Sequence, residues 1–422
     1  MKKLLIAWLL LPSCVYASDG AVLNTGDTAW VLVSTAFVLM MTVPGLALFY
    51  AGMVRKKNML STMMHSFGAA AVVSVLWVLI GYSLAFGSSS VNGFVGDLRF
   101  VLLHNIALSD VTGSIPTLLF VMFQMTFAVI AVAIFSGSLA ERIKFGSFLL
   151  FCALWLVLVY APVCHWVWGG GWLTGDALDF AGGTVVHVNA GVAGIVLAVL
   201  LGKRRGYGRE FLAPANLTLT LIGTGLLWVG WFGFNGGSAL GANASAAMAI
   251  LVSQVAAAVG ALTWLLAERL HRGKASALGG ASGAIAGLVG ITPAAGFVDV
   301  GGAMAIGLLT AVGCFFSITV LKRKLGVDDS LDAFGLHGVG GIIGAVLTGI
   351  FASPAVMGQA PTHGFWLQMW HQIEGVLAVM AYSGAVTLII GLVIKRTLGL
   401  RVSDEDEYQG LDLALHGEKI GD

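Results

Sequence analysis

The chain has little charge and few cysteines. Only 10% of its 422 residues are charged, and 58% are apolar. A soluble protein of this size carries far more charge, so the composition excludes a soluble globular protein and predicts a membrane protein. The net charge of +1 gives no reason to expect nucleic-acid binding. Glycine is abundant, at 58 residues, which is typical of closely packed transmembrane helices.

The four cysteines show no pairing or metal-binding pattern. Cys14 lies in the N-terminal segment, whereas Cys152, Cys164 and Cys314 lie in separate apolar runs. This distribution provides neither a disulfide framework nor metal-ligand spacing, and no cofactor is predicted.

The N-terminus has the features of a secretory signal peptide. Lys2 and Lys3 precede an apolar core at 4–11, and small residues lead to Ala17. The core is too short to cross a bilayer, so cleavage after Ala17 is predicted, with an uncleaved first helix as the alternative. The predicted organisation is a signal peptide at 1–17, a membrane domain at 18–402 and a cytoplasmic tail at 403–422.

Eleven apolar segments long enough to cross a membrane follow the signal peptide. They are residues 27–51, 61–87, 114–139, 145–167, 182–202, 211–233, 243–266, 278–293, 301–321, 332–351 and 366–394. The pattern predicts an all-α polytopic membrane protein. The length of the last segment favours a tilted helix lying across the bundle.

The basic residues predict the orientation. Of the 22 lysines and arginines, all but Lys2, Lys3 and Arg99 follow odd-numbered segments or lie in the tail. Because short cytoplasmic loops retain Lys and Arg, the N-terminus is expected outside and the C-terminus inside. Eleven crossings is the number that fits this alternation.

Two apolar segments carry a buried histidine in matching contexts. Residues 183–194 read Gly-Thr-Val-Val-His-Val-Asn-Ala-Gly-Val-Ala-Gly, and residues 334–344 read Phe-Gly-Leu-His-Gly-Val-Gly-Gly-Ile-Ile-Gly. His187 and His337 each precede glycines four and seven residues further on. The two segments lie five helices apart and are therefore antiparallel, which predicts an inverted five-helix repeat with a shared site near the membrane midplane.

The histidines have two interpretations. They could be unrelated core residues, each bonded to a backbone carbonyl. The matching glycine spacing instead favours two rings that meet, share a proton and line a pore. A metal would need further ligands, and neither segment supplies a neighbouring carboxylate or thiolate, so no metal is predicted there.

Two aspartates precede these segments. Asp179 and Asp332 can each satisfy free amides at a helix N-terminus. This structural role is favoured for Asp332. Asp179 could in addition act as an anion behind an outer cation site.

Aromatic residues are concentrated at the predicted outer ends of helices. Trp168 precedes three glycines, residues 231–238 read Trp-Phe-Gly-Phe-Asn-Gly-Gly-Ser, and residues 123–127 read Phe-Gln-Met-Thr-Phe. Interfacial anchoring is the usual explanation for any one of them. Together with the Ser238 hydroxyl they predict a cation-π cage for a small cation.

The tail is rich in carboxylates, including Asp404, Glu405, Asp406, Glu407, Asp412 and Glu418. This composition predicts a solvated cytoplasmic segment. It could be a disordered end or a docking site for a partner.

With these motifs the chain resembles the ammonium transporter family of the Amt/Mep/Rh superfamily, and bacterial members in particular. The resemblance covers nearly the whole mature chain. The supporting segments are residues 44–52, 140–142, 179–187, 233–238 and 332–341. Ala51-Gly52 replaces two glycines found in many relatives, a small difference.

The resemblance implies an eleven-helix protomer in a homotrimer, with one pore per subunit. It implies an outer ammonium site of Trp168, Phe127 and Ser238, and a gate of Phe127 and Phe234. His187 and His337 would line the pore, and Asp179 would serve recruitment and structure. The tail segments 410–412 and 416–418 resemble those that meet PII-type signalling proteins.

The predicted function is ammonium transport across the cell membrane, the inner membrane in a Gram-negative cell, with methylammonium as an analogue. Ammonium would lose its proton to the histidine pair, and ammonia would cross an apolar lumen. No catalysis is expected. The alternatives are an ammonium sensor, an intramembrane metalloenzyme using the two histidines, and a carbon dioxide channel.

Overall fold

The computed structural model of the protein describes residues 22–358 and 363–421, and the predicted signal peptide lies outside them. Within these ranges ten helices are long and apolar enough to cross a membrane, and one shorter apolar helix, α8, lies among them. In chain order they are α1 Thr25–Met53, α2 Lys56–Phe86, α3 Thr117–Leu139, α4 Phe145–Trp168, α5 Gly183–Leu201, α6 Leu217–Gly237, α7 Ala244–Arg272, α8 Ala277–Ile291, α9 Val300–Leu325, α10 Phe334–Phe351 and α11 Phe365–Thr397. The prediction of an all-helical polytopic membrane fold is confirmed.

The remaining elements are short. Strand β1 (Ser89–Ser90) pairs antiparallel with β2 (Val95–Gly96), with Ser89 opposite Gly96. Strand β3 (Val111–Thr112) pairs antiparallel with β4 (Ile115–Pro116). Both hairpins lie in the α2–α3 loop. We call the side of the bundle that bears this loop the vestibule side, and the opposite side, which bears the C-terminal residues, the tail side.

The observed helix bounds differ from the predicted ones by up to six residues. Helix α6 begins at Leu217 rather than at 211, because the Asn216 side chain caps it by accepting the Leu219 N–H at 3.1 Å. The Ala215 N–H donates to the Val54 carbonyl at 2.8 Å, which holds the preceding residues against α1. Helix α8 has only 15 residues, roughly 22 Å of helix against a hydrocarbon layer of about 30 Å.

Helices α5 and α10 touch at the glycines that follow the two histidines. A Cβ added at Gly191 would lie 2.4 Å from the Gly338 Cα. A Cβ added at Gly341 would lie 2.8 Å from the Gly183 carbonyl oxygen. Both contacts are shorter than any side chain permits, so glycine is required for the two backbones to approach this closely.

The tail folds against the tail side of the bundle. It contains α12 (Asp404–Gln409) and α13 (Leu411–His416). The Leu411 N–H donates to the Asn58 side-chain oxygen at 2.8 Å, and the Asp412 carboxylate accepts the Ser61 N–H at 2.7 Å. These bonds attach α13 to the start of α2.

The prediction of a solvated acidic tail is wrong for two of its carboxylates. Glu407 and Asp412 are each only 1% exposed. Glu407 accepts hydrogen bonds from the Arg401 guanidinium at 2.5 Å and from the Arg205 N–H at 2.6 Å. Because each buried carboxylate has such partners, the bundle itself can hold the tail in place.

A buried ionic cluster ties together the loops on the tail side. Glu141 binds the Arg55 side chain at 2.9 Å and Arg204 at 3.0 Å. Arg204 also binds Asp328 at 2.9 Å. Burial opposes ionisation of the Glu141 and Asp328 carboxyls. The charge of Arg204 outweighs this effect at both, with help from Arg55 at Glu141 and from Arg142 at Asp328. The pKa values of both carboxyls are therefore below the usual range.

Candidate functional site: an aromatic vestibule above a histidine pair

A partly open cavity of about 310 Å³ lies on the vestibule side. We call it the vestibule. Its lining residues are Phe86, Phe120, Phe123, Gln124, Phe127, Val167, Trp168, Phe180, Ser238 and Leu240. The predicted Trp168, Phe127 and Ser238 are therefore brought together, although they come from α4, α3 and the residue after α6. Aromatic faces and one hydroxyl are the groups that favour a small cation.

The Ser238 hydroxyl is oriented by the backbone. Its Oγ–H donates to the Phe234 carbonyl at 2.8 Å. Since the hydroxyl hydrogen is engaged there, the oxygen lone pairs are left to accept a hydrogen bond from a ligand. The residue is thus suited to an N–H donor in the vestibule.

Two stacked phenyl rings close the floor of the vestibule. The Phe127 and Phe234 ring centroids lie 4.1 Å apart at an interplanar angle of 16°. Phe127 also meets Trp168 edge to face, with centroids 6.0 Å apart. Both phenyl rings are buried, with Phe127 1% and Phe234 0% exposed, so they separate the vestibule from the residues beneath it.

His187 and His337 meet beneath the stacked rings. Their Nδ1 atoms are 3.1 Å apart, and their ring centroids are 5.2 Å apart. One Nδ1 must donate and the other accept, so the neutral pair shares a single proton between these two nitrogens. The alternative of two unrelated core histidines, each bonded to a carbonyl, does not fit this contact.

The cavity around the pair, which we call the lumen, is narrow and apolar. A cavity of about 10 Å³ borders both histidines. It is lined by Met41, Leu46, Phe49, Ile130, Ile134, His187, Leu227, Trp231, Ile285 and His337. The His187 Nε2 is buried and has no hydrogen-bond partner among the described residues. A buried ring nitrogen of this kind can form a hydrogen bond with a small polar molecule.

Trp231 has a position that the sequence did not indicate. The sequence pattern places Trp231 among the aromatics at the outer end of α6, but its ring stacks on His187 with centroids 5.5 Å apart and an angle of 23°. Its indole N–H donates to the Thr292 hydroxyl at 2.9 Å. The available signal was its spacing: Trp231 and Phe234 are three residues apart and therefore share a face of α6.

Asp179 caps α5 and does not line the vestibule. Its carboxylate accepts N–H groups at the helix start, including Gly182 at 2.8 Å, Gly183 at 2.6 Å and Thr184 at 2.9 Å. Its backbone carbonyl accepts the Trp168 indole N–H at 2.8 Å. Asp179 therefore fixes both the start of α5 and the indole that borders the vestibule.

The cap of α10 is Asp329, not the predicted Asp332. The Asp329 carboxylate accepts the Ala333 N–H at 3.2 Å and the Phe334 N–H at 2.9 Å. Asp332 adopts a left-handed backbone conformation (φ 59°), and its carboxylate binds Lys322 at 2.5 Å instead. Its side chain therefore points away from the free amides. Asp329 precedes His337 by eight residues, the spacing at which Asp179 precedes His187.

These features define a multi-pass membrane protein with an aromatic cavity above a buried polar pair. A family model described as the Ammonium Transporter Family matches residues 29–420. The ammonium transporter of Aquifex aeolicus is 51% identical over 97% of this chain and 96% of its own. The ammonium transporter of Bacillus subtilis is 48% identical over 94% of this chain and 98% of its own.

Solved structures of similar fold give the same result as the sequence comparisons. The crystal structure of Saccharomyces cerevisiae Mep2 superposes with a TM-score of 0.84 at 40% identity, covering 91% of each chain. A structure titled Sensor Amt Protein superposes with a TM-score of 0.87 at 30% identity, covering 92% of this chain and 98% of its own. The chain belongs to the ammonium transporter family, and it is a multi-pass protein of the cell membrane.

Proposed function

We propose that the protein conducts ammonia after recruiting ammonium in the vestibule and removing its proton. The single observation that carries the proposal is the order of sites along one path: an aromatic cavity with a hydroxyl, a phenyl stack and a buried histidine pair. The names of the relatives, which are ammonium transporters, support the substrate.

Ammonium is suited to the vestibule but not to the lumen. The Trp168 and Phe127 rings attract a cation, and Ser238 accepts one N–H. Below the phenyl stack the lumen is apolar apart from the histidine rings, and an ion that enters such a space loses its hydration at high cost. Deprotonation removes that cost, because ammonia is neutral.

The histidine pair provides the route for the proton. The shared hydrogen bond at 3.1 Å lets a proton move from one ring to the other. Potassium cannot lose a proton and therefore stays excluded from the lumen. The pair thus gives both conduction and selectivity, without a metal, a cofactor or catalysis.

The proposed architecture has eleven crossings with the N-terminus outside, so that the vestibule side is external. Helices 1 to 5 and 6 to 10 form an inverted repeat, with α11 as an additional tilted helix. The matched Asp179–His187 and Asp329–His337 spacing and the glycine contacts of α5 and α10 support this repeat. The short helix α8 crosses the membrane while buried among its neighbours, so it contacts protein rather than lipid along most of its length.

The cellular setting follows from the family. We propose removal of residues 1–17, assembly as a homotrimer, insertion in the inner membrane of a Gram-negative cell and a role in nitrogen uptake. The docked tail provides residues 410–412 and 416–418 on the tail side, where a PII-type protein could bind and displace them.

A sensor is the second candidate, because the chain also resembles the Sensor Amt Protein across nearly its whole length. Both functions use the vestibule for binding. They differ in flux, since a pure receptor binds ammonium without transporting it.

Reconstituted vesicles separate the two. The transporter proposal predicts uptake of methylammonium and a transient current after an ammonium jump, with no current after an equal potassium jump. Saturable binding without uptake or current would support the sensor and contradict the transporter.

A further inference from the structure

Two histidines and an aspartate meet on the vestibule side, away from the pore. Asp176 lies in the loop after α4, His363 lies just before α11, and His371 lies in the second turn of α11. One potential ligand atom from each of the three lies within 4.8 Å of the others. The His363 Nε2 is 3.0 Å from the Asp176 carboxylate, and the two imidazole centroids are 4.7 Å apart.

Buried amides hold the loop of Asp176 against α11. The Gln368 side chain donates to the Asp176 carbonyl at 2.8 Å. The Gln372 side chain accepts the Leu178 N–H at 2.6 Å and donates to the Leu178 carbonyl at 2.9 Å. Both glutamines are only 2% exposed. The loop that bears Asp176 is therefore fixed by the fold against the first turns of α11, which bear His371.

A fourth residue orients His371. The His371 Nδ1 lies 3.2 Å from a carboxylate oxygen of Glu374. Metal-binding histidines usually donate their second ring N–H to such a carboxylate, which fixes the tautomer and strengthens the ligand nitrogen. With Nδ1 engaged, Nε2 of His371 is the nitrogen left for a cation.

We propose that Asp176, His363 and His371 bind one divalent transition metal ion per chain, with Zn²⁺ as the best match. Two imidazole nitrogens and one carboxylate oxygen are a ligand set that Zn²⁺ accepts in tetrahedral geometry, with water in the fourth position. Their side chains are 16–41% exposed, so an ion can enter from solvent.

The metal would join the α4–α5 loop to α11. That loop also contains Asp179, whose carbonyl holds the Trp168 indole. A bound ion would therefore stabilise the segment that shapes one wall of the vestibule. The site lines no part of the vestibule or the lumen, so it is separate from the transport path.

The test measures zinc bound to purified protein that carries an affinity tag free of histidine. After dialysis against Zn²⁺ and removal of excess metal, the wild type should retain one zinc per chain by elemental analysis. The His363→Gln, His371→Gln double variant should retain none. The matched control is His104→Gln, an exposed histidine of the α2–α3 loop on the same side, which should bind as the wild type does.

Thermal unfolding gives the second measurement. Zn²⁺ at about 100 times its Kd should raise the Tm of the wild type and of His104→Gln by several degrees, and leave the double variant unchanged. Absence of zinc from the wild type, or equal zinc in the wild type and the double variant, would overturn the proposal.

Discussion

Ser238 illustrates how one bond can prepare a binding group. Its hydrogen is engaged with the Phe234 carbonyl, so the oxygen can only accept, and ammonium can only donate. Phe234 is also half of the phenyl stack. The hydroxyl that would bind the cation and the ring that would block it are therefore held by the same turn of backbone at the end of α6.

Replacement of Ser238 by alanine should raise the KM for methylammonium by at least about tenfold, because a hydrogen bond to a charged group contributes about 1.5–3 kcal/mol. The measurement is uptake into proteoliposomes over a range of concentrations. Thr348→Ala is the control, since the Thr348 hydroxyl donates to the Gly344 carbonyl within α10 and borders neither cavity. An unchanged KM in Ser238→Ala would remove the hydroxyl from the binding site.

Helices α5 and α10 are each preceded by an aspartate whose carboxylate accepts several backbone amides. Each then reaches its histidine eight residues after that aspartate. A carboxylate at the N-terminus of a helix satisfies free N–H groups and opposes the positive end of the helix dipole. The caps therefore set the depth at which the two imidazoles meet.

Replacement of each aspartate by asparagine should show that Asp329, and not Asp332, is the cap of α10. In Asp329→Asn the new NH₂ group faces backbone N–H donors. The free energy of unfolding should therefore fall by about 1–3 kcal/mol, and the Tm by several degrees. Asp332→Asn breaks only a partly exposed ion pair with Lys322. The free energy of unfolding should therefore fall by only about 0–1 kcal/mol. Thermal unfolding of both variants in detergent is the measurement. Equal losses would mean that Asp329 has no special role as the cap.

At the scale of the whole molecule, the ionic cluster and the docked tail link loops that are far apart in sequence. Glu141 joins the loops after α1 and α5, and Arg204 joins the latter to the segment before α10. The tail adds Glu407 through Arg401 and Arg205. These contacts connect loops that are distant in sequence on the tail side of the bundle.

The cluster predicts a pH dependence of stability. The pKa values of Glu141 and Asp328 in the folded protein lie below the usual range. The two ionised carboxylates therefore stabilise the fold above about pH 4–5. This stabilisation is lost as pH falls through the lowered pKa values. The Tm should therefore fall below about pH 4. Glu141→Gln has one less carboxyl to protonate and should show a shallower slope of Tm against pH. Identical slopes in the wild type and Glu141→Gln would mean that Glu141 does not contribute to the pH dependence of stability.

Much of this arrangement could be predicted from the sequence, but not all of it. The length of the apolar segments predicted the helices, and the repeated glycine spacing predicted that His187 and His337 meet. Asp329 was missed although its spacing to His337 equals that of Asp179 to His187, because Asp332 lies closer to the helix start. The Arg204–Asp328 pair and the Asp176–His363 contact join residues 124 and 187 positions apart, which no local pattern indicates.

The measurement that tests the central claim most directly compares ammonium and potassium currents in proteoliposomes, for the wild type and the His187→Ala, His337→Ala double variant. Size-exclusion and thermal unfolding profiles first establish that the variant is folded. The account predicts that the ratio of ammonium to potassium current falls at least about tenfold in the variant, a loss of roughly 1.4 kcal/mol of discrimination. Ammonium current of wild-type size with selectivity over potassium intact would contradict it.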